Sequence, residues 1–145
     1  MADIRKVTDS FAVAPQIDVD DFASIKEEGF TNIVNNRPDD ETFGQMPSAT
    51  AKVKSGEFGM EYTAIPISGP NDFMKSMKAL NDAIASAEGP VLAYCRSGTR
   101  SISLWSLAQV KSGAETPESA MEKAQAAGYD LSHMEPMMRQ LAGSK

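Results

Sequence analysis

The sequence predicts an α/β fold of three layers, with a mainly parallel central sheet flanked by helices. Short strand-like segments alternate with segments of helical period along the chain, the order that βαβ units produce. Val91-Leu92-Ala93-Tyr94 reads as a buried strand. The segment 101–111 that follows is apolar on several sides, at Ile102, Leu104, Trp105, Leu107 and Ala108, as a buried helix is. With 145 residues the chain suits one domain, spanning 1–145, with a sizeable core. Right-handed crossovers would put helices on both faces of the sheet. No internal repeat, low-complexity tract or linker divides the sequence.

In order, Phe11-Ala12-Val13 is the first strand-like stretch, closed by Pro15. Asp18 or Asp20 caps a helix through Phe22 and Ile25 that ends at Gly29. Thr31-Asn32-Ile33-Val34-Asn35 is the second strand, and it runs into the polar, turn-rich Asn36-Arg37-Pro38-Asp39-Asp40-Glu41. Open α/β sheets place ligands at the C-terminal ends of their strands. Arg37 is therefore a candidate anion contact; the alternative is a surface arginine paired with Asp39 or Glu41. Ser48 to Phe58 is a weakly patterned helix, and Glu61-Tyr62-Thr63-Ala64-Ile65-Pro66-Ile67 is the next strand. After the loop Ser68–Asp72, Asn71 or Asp72 starts a helix with the stripe Phe73, Met77, Leu80 and Ile84, joined by Met74. Its methionines read as core filler. Gly89-Pro90 ends that helix ahead of the strand 91–94. Thr116-Pro117 supplies an N-cap and first residue for a helix reaching Gly128. Ser132-His133-Met134-Glu135 has the form of a capping box for a last helix through Leu141, which gives His133 a surface or capping role.

Composition narrows the function. The net charge of −6 argues against a nucleic-acid partner or an anionic membrane surface. One cysteine excludes an intramolecular disulfide and a multi-cysteine zinc site, and one histidine leaves no histidine cluster, so no metal or other cofactor is expected. The sequence has no apolar run long enough to span a membrane and no signal-peptide core after Met1. A cytoplasmic location is the expectation, because a reactive thiol survives best in a reducing compartment.

The chemistry points to Tyr94-Cys95-Arg96-Ser97-Gly98-Thr99-Arg100-Ser101. A lone cysteine at a strand's end is often a small core residue. Two arginines and a turn glycine within five positions serve no such purpose. A thiolate forms more readily beside positive charge and at a helix N-terminus. Backbone N–H groups of the loop, Arg96, Ser97, Gly98, Thr99 and Ser101 are the candidate anion-binding groups. Gly98 permits a turn with positive φ. Arg100 offers a planar fork to an oxyanion. Cys95 is then the nucleophile.

Two families use a strand, a cysteine loop and a helix in this way. Cysteine-dependent phosphatases separate cysteine from arginine by five residues; rhodanese-type sulfurtransferases use a loop one residue shorter. Here four residues lie between Cys95 and Arg100, and the loop looks very like single-domain rhodanese loops. The wider chain resembles the phosphatase-like domain of the beta-lactamase-hydrolase-like proteins. That likeness is carried by Phe30-Thr31-Asn32-Ile33-Val34-Asn35-Asn36-Arg37-Pro38-Asp39, by Ile65-Pro66-Ile67 and by the cysteine loop, and it runs from about residue 4 to residue 141. The resemblance implies a dual-specificity or tyrosine-phosphatase-like fold. Some relatives carry the domain fused to a metallo-β-lactamase-type sulfur dioxygenase, which suggests a sulfur-metabolism enzyme as partner. Tyr94 replaces the histidine that usually precedes the cysteine of a phosphatase.

Sulfur transfer through a Cys95 persulfide is the main expectation, because a smaller ring of N–H groups suits a sulfane sulfur and no general acid is required. The alternative is a phosphatase acting through a phosphocysteine. It would need Arg100 on the phosphoryl oxygens and a carboxyl group as acid, for which Asp72 and Asp39 are the candidates; Asp72 has helix capping as its simpler role. Ser101 matches the hydroxyl that assists thiolate departure in phosphatases. A third reading is an anion-binding or redox-sensing module without catalysis. The substrate would be a small oxyanion, a persulfide or a phosphoester.

Overall fold

Five short strands pair into one sheet in the computed structural model, which describes residues 2–143. They are β1 (Arg5–Thr8), β2 (Phe11–Ala14), β3 (Asn32–Asn35), β4 (Glu61–Ala64) and β5 (Val91–Tyr94), in the order β1-β2-β5-β3-β4. β2, β5, β3 and β4 run parallel, and β1 joins the edge antiparallel. The sheet is thus mixed, parallel in its centre as its apolar strands require. β1 is absent from the sequence reading because Arg5-Lys6-Val7-Thr8 offers one apolar residue among charged and polar ones. That composition suits an edge, where charge discourages further pairing.

Helices cover both faces. α1 (Phe22–Glu27) and α2 (Ser48–Glu57) lie on one; α3 (Pro70–Ser86), α4 (Thr99–Ser112), α5 (Pro117–Ala126) and α6 (Glu135–Gly143) lie on the other. Strand alternation feeds two cores. Phe11, Val13, Val34, Val91 and Ala93 face α3–α6, while Ala12, Ala14, Ile33, Leu92 and Tyr94 face α1 and α2. Trp105 of α4 stacks on Phe11 with centroids 5.8 Å apart. Nine residues of α4 are buried, including Ser101, Ser103 and Ser106, so this helix runs through the core as its sequence predicts.

Several expectations shift. β4 stops at Ala64, because Pro66 has no N–H to donate. The register nevertheless continues, with Ile65 N donating to Asn35 O and Ile67 N to Asn36 O, each at 2.9 Å. α3 starts at Pro70, one residue ahead of Asn71. Met74 lies outside its buried stripe, 49% exposed. Ser132 does not cap the last helix. It begins a 3-10 turn, Ser132–Met134, and its N–H donates to Asp130 Oδ1 at 2.9 Å. No helix among the described residues is long and apolar enough to cross a membrane, and no group of three potential metal ligands is found among them.

Leu107 is fully buried in the larger core. Leu107→Ala is expected to lower unfolding free energy by about 2–5 kcal/mol, whereas Met74→Ala should stay within roughly 0.5 kcal/mol. Chemical denaturation of both variants checks this, and equal shifts would contradict the burial pattern.

Candidate active site

β5 delivers Cys95 to the C-terminal end of the sheet, between β2 and β3. Cys95 N donates to Ala14 O at 3.3 Å, and the side chain is buried. The chain then turns back over the sulfur. Gly98 adopts φ +93° and donates its N–H to Cys95 Sγ at 3.0 Å. Gly98 is also the N-cap of α4, whose first N–H groups have no partner within the helix and open on the loop. The loop's polar side chains brace its turn. Ser97 Oγ donates to Thr99 Oγ1 at 3.1 Å and accepts from Thr99 N at 3.3 Å. The Arg96 guanidinium is exposed, with no hydrogen bond or ion pair to any described residue.

Arg100 is fixed from its outer end. Nη1 donates to Glu41 Oε2 at 2.8 Å and to Ile67 O at 2.9 Å, and Nη2 donates to Glu41 Oε1 at 2.8 Å. A guanidinium has five N–H donors. Three are engaged here, which leaves Nε–H and one Nη2–H, the side-on fork. Glu41 hydrogen bonding, and to a lesser degree the charge of Cys95, raise the Arg100 pKa above its usual value against partial burial. Arg100 therefore holds one face toward Glu41 while interacting with the sulfur.

Arg37 pairs with Glu41, as one alternative has it, but it is buried and not on the surface. It forms the floor beneath Glu41: Nε donates to Glu41 Oε1 at 3.0 Å, Nη1 to Gln16 Oε1 at 3.0 Å and Nη2 to Thr42 Oγ1 at 3.1 Å. The two arginines, Arg100 foremost, hold the Glu41 carboxylate below the usual range against its desolvation. Asp40, just ahead of Glu41, takes the left-handed conformation at φ +65°. In the sequence, Glu41 stands out only as a pairing option for Arg37. A single glutamate in a loop at a strand's C-terminal end, beside a loop carrying two arginines, was the available signal.

Ser101 faces inward. It is buried and donates Oγ to Asn36 Oδ1 at 2.8 Å, which makes it a positioning residue instead of an anion ligand. Asp72 is engaged as a cap: its Oδ2 accepts from Ser68 N at 2.7 Å and Gly69 N at 3.2 Å, and its carboxylate pairs with Lys75. The Ser68 N–H, then Lys75 and Gly69, hold its pKa below the usual value. Asp39 accepts from Ser48 N at 2.8 Å, at the start of α2. Both candidate acids thus serve helix starts. Tyr94, in place of the expected histidine, packs in the smaller core, and burial drives its pKa upward.

Tyr129 was not legible in the sequence. Its Oη donates to Ser97 O at 3.0 Å, from the segment after α5, and Arg5 lies over its ring at 5.6 Å. A Cβ on Gly98 would sit 2.1 Å from that Oη. The tyrosine is the outer wall of the loop.

Residues 3–114 match the family model described as "Beta-lactamase hydrolase-like protein, phosphatase-like domain". A beta-lactamase hydrolase-like protein of Agrobacterium fabrum is 34% identical over 126 residues, covering 87% of this chain and 29% of that protein, so the chain spans under a third of the relative's length. Among solved structures, a candidate phosphatase of Neisseria meningitidis superposes with a TM-score of 0.85 at 29% identity, covering 95% of this chain and 97% of that one. Pseudomonas aeruginosa TpbA, in a C132S form in complex with pTyr, superposes with a TM-score of 0.62 at 13% identity, over 98% of this chain and 91% of its own, and so shares the fold. These likenesses are to phosphatase-like proteins; none supports the sulfur-transfer expectation drawn from the loop length.

Gly98→Ala combines positive φ with a clash on Tyr129. It is expected to lower stability by about 1–3 kcal/mol. Tyr129→Phe removes the nearest atom, so the double variant should lose less than the sum of the two singles. Denaturant midpoints of the three variants test this; additive losses would mean that the two residues do not meet.

Proposed function

Since the chain belongs to the family of beta-lactamase hydrolase-like protein phosphatase-like domains, we propose that it is a cysteine-dependent phosphatase, hydrolysing phosphomonoesters through a phosphocysteine at Cys95. The observation that carries this reading is the pairing of a backbone-bonded Cys95 sulfur with an Arg100 fork held open on one edge. The nucleophile is the Cys95 thiolate, which forms an S–P bond as the ester P–O bond breaks. Arg100 grips two phosphoryl oxygens through Nε and Nη2, while the loop amides and the N-terminus of α4 receive the remaining charge. Arg96, Ser97 and Thr99 lie at the rim of that cradle. Water then attacks phosphorus, the S–P bond breaks with its electron pair on sulfur, which restores the Cys95 thiolate, and inorganic phosphate leaves carrying the water's oxygen. Asn36, Ser101, Arg37 and Glu41 position these groups. The solved complex of TpbA with pTyr supports a phosphorylated ester as the substrate class. A cytoplasmic setting suits a catalytic free thiol.

Sulfur transfer through a Cys95 persulfide is the second reading, and two observations favour it: only four residues separate Cys95 from Arg100, and both candidate aspartates are engaged in capping. On that reading the partner would be an enzyme of sulfur metabolism.

Wild-type protein is expected to hydrolyse an aryl phosphate and, when acid-quenched during turnover, to gain one phosphoryl group by intact mass. Cys95→Ser should do neither. Turnover that persists in Cys95→Ser would sink the proposal, and a gain of one sulfur from thiosulfate with no phosphatase activity would favour the second reading. Arg100→Lys keeps the charge and loses the fork. It should lower kcat/KM by about a hundredfold or more, and unchanged kinetics would remove Arg100 from the anion site.

A further inference from the structure

We infer that the leaving group of the phosphomonoester occupies an apolar cleft beside the cysteine loop and takes its proton from His133. This rests on the phosphatase reading. A cleft of about 360 Å³ opens between the start of α3, the first turn of α4 and the 132–137 segment. Phe73, Met134 and Met137 give it apolar walls, Thr99 and Arg100 close the end shared with the anion loop, and His133 stands on its lining. That volume is in the range of small-molecule sites, roughly 300–1,000 Å³. Because Arg100 belongs to both sites, an ester whose phosphoryl group is on the loop can place its organic part in the cleft. Apolar walls select an aryl or alkyl alcohol over a sugar.

The departing alkoxide needs a proton, and the nearby carboxylates are not free to give one. Asp72 and Asp39 accept from backbone N–H groups at helix starts, and Glu41 is clamped by two arginines. His133 is exposed on the cleft, and an imidazole can both give and take a proton through its ring nitrogens. The charged groups around it are Arg100, which shares the cleft, and Asp130, which interacts with His133 electrostatically. In the first step the Cys95 sulfur bonds to phosphorus, the P–O bond breaks with its electron pair on the ester oxygen, and the imidazolium proton moves to that oxygen. Neutral His133 then takes a proton from the water that hydrolyses the phosphocysteine, which restores the imidazolium.

The test is a series of phosphate esters with leaving groups of rising basicity, from nitrophenyl to phenyl to benzyl. For His133→Gln the loss in kcat/KM should grow along the series, from a few-fold to roughly a hundredfold. A uniform loss or none across the series would overturn the assignment, as would growth of the loss in Asp72→Asn instead. If wild type hydrolyses no phosphate ester, the phosphatase reading has failed, and binding decides the cleft on its own. Phenylphosphonate should then shift the methyl NMR signals of Met134 and Met137, and methylphosphonate should not; no shift with the phenyl ligand would remove the subsite.

Discussion

One buried asparagine ties the catalytic end of the sheet together. Asn36 N donates to Tyr94 O at 2.8 Å, its carbonyl accepts from Ile67 N at 2.9 Å, its Nδ2 donates to Ile65 O at 2.8 Å and its Oδ1 accepts from Ser101 Oγ at 2.8 Å. Each backbone and side-chain polar group therefore has a partner, as a fully buried amide requires. Asn36 itself lies just past β3, and its partners lie at the end of β5, just past β4 and in the first turn of α4. The geometry of the cysteine loop depends on this node, because the loop starts one residue after Tyr94 and ends at Ser101. An apolar residue at 36 would leave two buried groups unpaired, Ile65 O and Ser101 Oγ, each costing about 1–3 kcal/mol.

The loop itself is compressed between two fixed surfaces. Asn36 and the strand ends hold it from beneath, and Tyr129 holds it from outside through Ser97 O. Only a residue without Cβ can pass between, and Gly98 meets both demands at once: positive φ for the turn and room for the tyrosine. The helix that follows is anchored by burial of Ile102, Leu104, Leu107 and Val110, so its N-terminus cannot drift from the sulfur. Core packing and site geometry are here one constraint, since loosening α4 would move the anion cradle.

The sequence made the central elements legible because their signals are local. Alternation and apolar runs located β2, β3, β5 and α4, and a cysteine followed by two arginines and a glycine located the nucleophile. Capping chemistry correctly offered helix start as the simpler role of Asp72. What stayed hidden is long-range. β1 owes its existence to pairing with β2 and carries almost no apolar pattern of its own. Tyr129 acts on a carbonyl thirty-two positions away, and nothing in its neighbourhood advertises that. Ser101 reads as a hydroxyl of the anion site, yet the first turn of α4 points it at Asn36. The spacing of Cys95 and Arg100 pointed to sulfur chemistry, while the family and fold likenesses point to phosphatases. Loop length is a local quantity, whereas those likenesses draw on nearly the whole chain.

Charge explains why a glutamate stands inside an anion site. Arg37, Glu41 and Arg100 together carry a formal charge of +1, two positive and one negative. Without the carboxylate, two guanidinium groups sharing a partly buried space would repel, and Arg100 would have no reason to keep one rotamer. With it, the outer edge of Arg100 is consumed and the free fork is aimed by elimination, with Ile67 O completing the clamp. The rigidity comes at the expense of net positive charge, and the protein as a whole carries −6. A dianionic substrate is therefore repelled at long range and attracted only within contact distance. Such a site discriminates by geometry, through two correctly aimed N–H donors and the loop amides, more than by the field it projects into solution.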